Sequence, residues 1–513
     1  MHLTDSRLIL SASDLTGFLE CAHLTQQELA ATRGEILRPE REDPELALLA
    51  RHGTEHEEAH LDAYVRAGKS VARIETRGAT LDAYRMAREQ TLEAMRSRVD
   101  VIYQATLFDG RWLGYADFLE KVDAPSDLGK HSYEVVDTKL ARSAKAAALL
   151  QTSLYSELVA GMQGRPPEWM HLALGDGTRA RFRVSDNRAY LHHAKARLES
   201  VTGAAPIKTY PAPVEHCRVC RWNSICEQRW RDDDSLVLVA GLSRSQAGKL
   251  DAAGVRTAGA LATSDRDLSA TGIGATTLAR LRLQAQLQVR ERETGRPDCE
   301  LIRPERPDLG LALLPLPTDA DLIFDMESDP WALDGGLEYL FGVLDVAGRF
   351  TPIWVHDRHE EKVAFERFVD LVIARLDANP GMHVYHYAPY EPSALKRLMG
   401  RHGTREAEVD RLLRGEVLVD LYRVVKQSLI ASRESYTLKD IEALYMGRRQ
   451  DAISEAGSSI VAYESWIDRR EQSILDAIAA YNEQDLRSTW MLRNWLEDRR
   501  PQAETEFGIV IPR

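Results

Sequence analysis

"DLIFDMESDP", residues 321–330, is a short apolar run that closes on two acids, Asp325 and Glu327. Successive side chains on a strand point to opposite faces, so these two carboxylates, two positions apart, share one face. The run opens a new pattern. Strand-like segments recur near 339, 352 and 382, and helical periodicity covers about 361–377, 391–401, 438–446 and 471–495. Residues 318–513 therefore read as one α/β domain.

Immediately upstream, "RPERPDLGLALLPLPTDA" reads as a Pro-rich linker, and residues 236–290 read as short helices punctuated by glycine. The first ~110 residues read as mainly helical, on Ala/Leu/Glu/Arg-rich stretches with a 3.6-residue apolar period. Then "VDVIYQATLFDGRWLGYADFLEKV" alternates around Asp109-Gly110, a strong hairpin signal. "YEVVDTKLA" is a further strand and "AAALLQTSLYSELVAG" a helix, and a second hairpin is expected in "EWMHLALGDGTRARFRV". The expected organisation is an α/β multidomain chain with units at 1–232, 236–290 and 318–513.

The bulk numbers agree. At 513 residues the chain exceeds one ordinary core. No apolar run approaches the ~18 residues that span a bilayer, and "MHLTDSRLILSASDL" lacks the core of a signal peptide. A cytoplasmic location with no membrane partner is the expectation. The net charge of −13 has the wrong sign for a simple electrostatic nucleic-acid binder, whereas an enzyme that holds metal ions in carboxylates loads its composition with acids. Five cysteines, three of them clustered, argue for metal binding over disulfides.

Metal-assisted phosphodiester hydrolysis needs converging carboxylates and a nearby cation. "GYADFLEKV" offers Asp117, read as the end of a strand, and "YEVVDTKLAR" offers Asp137 and Lys139 on one strand face. Gln151 and Tyr155 lie one turn apart on the next helix, and "RHGTEHEEAHL" places His56 and Glu57 on an earlier one. The order Gly-x-x-His-Glu, Asp, Asp-x-Lys, Gln-x3-Tyr and a late cysteine cluster resembles the RecB-like branch of the PD-(D/E)XK nucleases, including the AddB-type and CRISPR-adaptation nucleases. The opening "LSASDLTGFLECAHLTQQEL" resembles the start of the same family. The resemblance implies a restriction-endonuclease-like core with Asp117 and Asp137 as metal ligands, Lys139 as the catalytic lysine, and Gln151 and Tyr155 as helpers. The family's histidine lies four residues after the glycine, where Glu57 stands, while His56 falls one early, and both stand as candidates.

"EHCRVCRWNSIC" supplies Cys217, Cys220 and Cys226, and three thiolates leave a tetrahedral site open. Cys21, Cys299, His216 and His23 are candidates for the fourth ligand, to zinc or to an iron–sulfur cube. The RecB-like resemblance implies a [4Fe–4S] cluster on Cys21, Cys217, Cys220 and Cys226 that staples the two ends of the nuclease domain.

The C-terminal pattern resembles RNase H-like exonucleases of the two-metal DEDD type. That likeness implies Mg²⁺ or Mn²⁺ on Asp325, Glu327, Glu391 and Asp485, with Tyr481, four residues before Asp485, orienting the attacking water. Glu391, in "HVYHYAPYEPSALKRL", stands where most of that superfamily has Asp, while Asp420 reads as a helix N-cap. In the middle unit, "LSATGIGATTLARL" resembles a helix-hairpin-helix, with Gly272-Ile273-Gly274 presenting backbone N–H groups to a DNA phosphate.

Together these readings predict a metal-dependent nuclease acting on single-stranded DNA or DNA ends, in repair, recombination or defence. A ribonuclease working through the C-terminal domain and a non-catalytic nucleic-acid-binding scaffold are the rivals. Related architectures continue into a superfamily-one helicase, but no G-x4-G-K-[S/T] loop occurs here. Such a helicase would be a separate partner or a further part of a longer chain.

Overall fold

Asp109-Gly110 and Asp176-Gly177 close the two expected hairpins, because each glycine adopts the positive φ that the turn requires, 101° and 77°. The Asp109 carboxylate fixes the first turn by accepting from the Trp112 amide at 2.7 Å. The computed structural model describes residues 1–205, 207–265, 267–333, 335–447 and 459–513. It divides into two units, Met1–Glu227 and Gln228–Arg513.

In the first unit, β1 (His2–Thr4) and β2 (Arg7–Ser11) precede the helices α1 (Ala12–Glu20), α2 (Ala22–Thr32) and α3 (Pro44–Arg66). Ser11 closes a capping box on α1, and Asp43 caps α3 ahead of Pro44. There follow β3 (Val71–Arg73), α4 (Leu81–Arg96), the hairpin β4 (Val101–Phe108) and β5 (Trp112–Val122), then β6 (Ser132–Lys139) and α5 (Ala146–Gln163). A second hairpin, β7 (Trp169–Leu174) and β8 (Arg179–Arg183), leads into α6 (Val184–Gly203) and α7 (Asn223–Asp232). The eight strands form one sheet in the order β1-β2-β5-β6-β7-β8, with β3 and β4 along the other edge of β5. The N-terminal region thus carries three short strands that its helical composition hides. Helix α5 packs Leu150, Leu154 and Leu158 against Ala116, Leu119 and Val135 of the sheet.

The second unit starts with α8 (Arg244–Ala252), α9 (Ala258–Thr263) and α10 (Ala275–Thr294), which share a core of Leu250, Leu261, Ile273 and Leu281. After β9 (Cys299–Leu301) come β10 (Leu322–Asp329), β11 (Leu337–Asp345), β12 (Phe350–Trp354), α11 (Arg358–Ala378), β13 (Val384–His386), α12 (Tyr390–His402) and α13 (Glu406–Arg414). The chain ends with β14 (Leu418–Asp420), α14 (Leu421–Ser428), β15 (Leu429–Ala431), α15 (Leu438–Ile441), α16 (Ser459–Arg469) and α17 (Gln472–Phe507). Five strands form a sheet in the order β12-β11-β10-β13-β14, antiparallel on the β11 side of β10 and parallel on the β13 side.

Alternation along β10 decides what each face does. Leu322, Phe324 and Met326 enter the main core, where the Phe324 ring stacks 3.8 Å from Phe368 of α11. Ile323 points the other way, against Leu486 of α17, and Asp325 and Glu327 follow it by parity.

The helical segment 236–290 is built into this second unit, since Gln284 of α10 donates to the Ala431 carbonyl of β15 at 2.7 Å. The Pro-rich stretch is likewise fixed. Leu311 and Leu314 are buried, and the Arg500 guanidinium donates to their carbonyls at 2.7 and 2.8 Å.

Candidate functional site

Three side chains delivered by two elements meet on the α17 side of the second sheet. Asp325 and Glu327 come from β10, and Asp485 comes from α17. One ligand oxygen from each lies within 4.8 Å of the others. Among the described residues no other set of three or more potential ligands is gathered this closely. A β-bulge between Glu327 and Ser328 ends the regular register just past the second acid.

Glu391, in the first turn of α12, joins them. It is 2% exposed, it contacts Asp325, and its Oε2 accepts no hydrogen bond. Burial and the repulsion of Glu327, Glu391 and Asp485 hold the Asp325 carboxyl well above the ordinary carboxylate range. Glu327, also desolvated and facing Asp485, is pushed up to about 7. A cluster of this kind is costly without counter-charge. Its all-oxygen donor set and the orphaned Glu391 oxygen fit hard divalent cations.

Residues 322–497 match the family model described as RNase_H superfamily. The chain carries an RNase H-like domain. No protein of curated function matches the chain.

The RNase H-like domain supports its acids with side chains that sequence reading missed. Asn482 Nδ2 donates to Asp325 Oδ2 at 2.8 Å, and Ser459 Oγ donates to Glu327 Oε2 at 2.6 Å. Lys439 of α15 attracts Glu327 electrostatically, and its Nζ lies 4.9 Å from the centroid of the Tyr481 ring. Tyr481 thus sits beside the acids, one turn before Asp485. His386 Nδ1 lies 2.8 Å from the Ala388 carbonyl and 3.3 Å from Glu391 Oε2. Asp420 caps α14 by accepting from the Tyr422 amide at 2.9 Å, and it also accepts from the Ala388 amide at 2.9 Å. Its role is the expected cap. Asn482, Ser459 and Lys439 carried no sequence signal of their own; Gly342, the β11 partner of Asp325, did, since a lone glycine in a strand marks close approach of another group.

The first unit gathers a second set. Asp117 corrects the sequence reading: it stands in the middle of β5, not at its end. Its Oδ2 accepts from the Thr138 amide and hydroxyl, both at 2.7 Å, which turns it toward β6. Asp137 is fully buried and paired with Lys139, and burial together with the Asp117 charge pushes it up to about 7. Gln151 Nε2 lies 3.4 Å from Asp137 Oδ1 and 3.1 Å from the Tyr155 hydroxyl. A cleft of about 180 Å³ opens beside Lys139, Lys145 and Gln151.

Between the two α3 candidates, the geometry separates the roles. Glu57 faces Asp117 and Lys139, is raised by burial and by the Asp117 charge, and accepts from Gln104. Gln104 reaches it because its own φ is +53°, an irregular point on β4. His56 instead points its Nε2 at the Ala173 carbonyl, 3.4 Å away, and packs against His60.

The cysteines lie where α2 meets the end of the unit. Cys21 is the N-cap of α2, and its Sγ accepts from the Leu24 amide at 3.4 Å. Cys220 is within electrostatic reach of both Cys217 and Cys21, and burial raises its thiol. Cys226 lies on α7, its amide bonded to the Trp222 carbonyl at 3.0 Å. Trp222 Nε1 donates to Glu28 of α2 at 2.8 Å, tying the cysteine loop to the N-terminal helices. The sulfurs do not form a group as tight as the carboxylate trio. His23 is engaged through both ring nitrogens, with Thr209 and Gln27, and His216 lines a cavity beside Cys220. Cys299 belongs to the second unit, on β9, where burial pushes its thiol up to about 11.

In the middle segment, Gly272 has a positive φ of 67° and Gly274 is the N-cap of α10. Its hydrogen bonding differs from the expectation. The Gly272 amide donates to the Ser269 carbonyl and the Ile273 amide to Thr271 Oγ1, while the Ile273 side chain is core.

Proposed function

We propose that this chain is a divalent-metal-dependent nuclease that hydrolyses phosphodiester bonds of single-stranded DNA or DNA ends. The observation that carries this reading is the convergence of Asp325, Glu327 and Asp485 within 4.8 Å inside an RNase H-like domain. Asp325, Glu327 and Asp485, with Glu391, would hold Mg²⁺ or Mn²⁺. Such ions, when bound, supply an activated water and offset charge on the scissile phosphate. Asn482 and Ser459 fix two of the carboxylates that would hold them, which sets their geometry before an ion arrives. Tyr481 stands one turn from Asp485, where its hydroxyl would orient the water, and Lys439 adds a positive charge beside it.

Support for a second, RecB-like site comes from the first unit. Glu57 faces Asp117 and Lys139, Asp137 pairs with Lys139, and Gln151 reaches Tyr155, which supports that reading. Cys220 lies within electrostatic reach of Cys217 and Cys21, and a [4Fe–4S] staple on these three and Cys226 is the proposal that the RecB-like reading adds. The α10 N-terminus after Gly274 would add a DNA contact, and a helicase remains the proposed partner.

The deciding experiment is cleavage of end-labelled DNA and RNA strands in Mg²⁺ or Mn²⁺ by wild type, Asp325→Asn/Glu327→Gln and Asp137→Asn. Loss of cutting in either variant assigns its site. Wild-type protein that cuts no faster than the two variants combined sinks the proposal, and preferential RNA cutting replaces DNA as substrate.

A further inference from the structure

Two occupied acids and one tryptophan decide the charge on one face of the first unit's sheet. Along β8, Arg179, Arg181 and Arg183 alternate with Ala180 and Phe182, so three guanidiniums leave one face of the strand, all of them exposed. Their sheet neighbours offer two buried or half-buried carboxylates. Glu120 already accepts from Arg179 Nη1 at 2.8 Å and from the Tyr64 hydroxyl. Glu134 is paired with His171 Nε2 at 2.9 Å and accepts from the Trp169 amide at 3.2 Å. Arg181 and Arg183 are left with no carboxylate partner among the described residues. Their guanidiniums lie over the Trp169 ring instead, 4.5 and 4.9 Å from its centroid.

We propose that Arg181, Arg183 and Trp169 form a docking stripe for single-stranded nucleic acid on the α3 face of the first unit's sheet. A guanidinium laid on an aromatic plate keeps its donors free for phosphate while its plane accepts a stacked base. Stacking of that kind requires an unpaired base, which favours a single strand over a duplex. Protecting an edge strand from pairing needs only charge. It does not need a tryptophan shared by two uncompensated arginines. In a chain of net charge −13, such a stripe determines where a polyanion settles.

Asp137, whose sheet partner Leu172 pairs with Ala180, points to the opposite face, so the α3 face reaches the site through Glu57. Tyr64, which shares Glu120 with Arg179, is about two turns along α3 from Glu57, or roughly 10 Å. Arg183 lies roughly 13 Å further along β8. Nucleic acid as the ligand rests on the nuclease reading above, and the tests below separate the two.

Full-length protein inactivated by Asp137→Asn and Asp325→Asn is titrated with a fluorescent thirty-nucleotide single strand over a KCl series. Adding Arg181→Gln and Arg183→Gln is expected to weaken binding about tenfold and to flatten the slope of log K against log[salt] by about 1.4, two phosphates at ~0.7 each. Arg181→Lys/Arg183→Lys keeps the slope and loses only the stacking part of the affinity. Wild-type affinity and slope in the Gln variant overturn the stripe, and so does duplex DNA bound as tightly as the single strand. In otherwise active protein, the Gln variant should cut a tetranucleotide at the wild-type rate. Failure of both to cut counts against the nuclease reading alone, because the salt slope judges the stripe without any cleavage.

Discussion

Asn482 holds Asp325 through a gap in the neighbouring strand. Its Nδ2 donates to Asp325 Oδ2 at 2.8 Å, and a Cβ on Gly342, the strand partner of Asp325, would fall 1.7 Å from Asn482 Oδ1. The glycine is therefore what lets an α17 side chain reach a β10 carboxylate. Gly342→Ala should expel the Asn482 amide, lower cleavage about as much as Asn482→Ala does, and cost about 1–3 kcal/mol of stability from overpacking. Because both changes remove one contact, Gly342→Ala/Asn482→Ala should cut no slower than the worse single variant. Single-turnover rates and thermal melts check this, and additive losses in rate would refute it.

The acid cluster should make the metal-free protein lose stability as pH rises. Asp325 and Glu327 are both raised in the folded state, Glu327 to about 7. A raised acid favours folding while it is protonated. That contribution is complete below the unfolded carboxylate range, near ~4.3, and is lost as pH climbs to the folded value. Thermal melts in EDTA should therefore fall between about pH 5 and pH 7.5, with a slope of roughly 1.4 kcal/mol per pH unit for each group titrating. Asp137, also near 7, runs the same way in the first unit. Asp325→Asn/Glu327→Gln and Asp137→Asn should each flatten part of the fall, and Mg²⁺ should oppose it. A melting temperature that rises across this range in EDTA contradicts the assignment.

Lys439 should matter for the chemical step and little for metal binding. It faces Glu327 and lies over the Tyr481 ring, so it can meet charge developing on the phosphate. Lys439→Met is expected to lower kcat about 10²-fold with KM and the Mn²⁺-induced melting shift nearly unchanged, and Lys439→Arg should recover most of the loss. A kcat within a factor of about two of wild type removes Lys439 from the site.

The trio of acids was legible because the two periods that govern it are local. Asp325 and Glu327 obey the two-residue period of a strand, and Tyr481 and Asp485 the four-residue spacing of a helix face. Asn482 was not legible: in "AAYNEQDLRS" it reads as a surface residue, and only the docking of α17 over Gly342 turns it inward. Lys439 and Ser459 were hidden in the same way, since each belongs to a short helix whose approach to the sheet no local pattern encodes. The small strands β1 to β3 were masked by helical composition around them, being three to five residues long. His56 and Glu57 are adjacent, and the phase of α3 against the sheet, fixed by Leu61 and Tyr64 packing near Phe118, is what separates them.

That separation is testable. Glu57→Ala should abolish the cutting that depends on Asp137, because its carboxylate faces Asp117 and Lys139. His56→Ala removes a ring that points at the Ala173 carbonyl, and it should leave most of that activity in place. Assays in an Asp325→Asn/Glu327→Gln background isolate the first site. A His56→Ala variant as inactive as Glu57→Ala would return the histidine to the metal shell.

The proposed cysteine staple carries the most global prediction. Cys21 opens α2 while Cys217, Cys220 and Cys226 close the first unit, so a cluster on all four would join segments that are remote in sequence and remove much of the chain entropy of the unfolded unit. Anaerobically purified wild type should be brown and carry about four iron atoms per chain. Cys21→Ser should lose the colour, lower the melting temperature of the first unit by several degrees and weaken Asp137-dependent cutting. Cys299→Ser should do none of these, because Cys299 sits on β9 in the second unit with its thiol buried. Stoichiometric zinc in a colourless protein, or a Cys21→Ser variant that keeps full iron content, would take Cys21 out of the cluster and leave the three late cysteines to a different ligand.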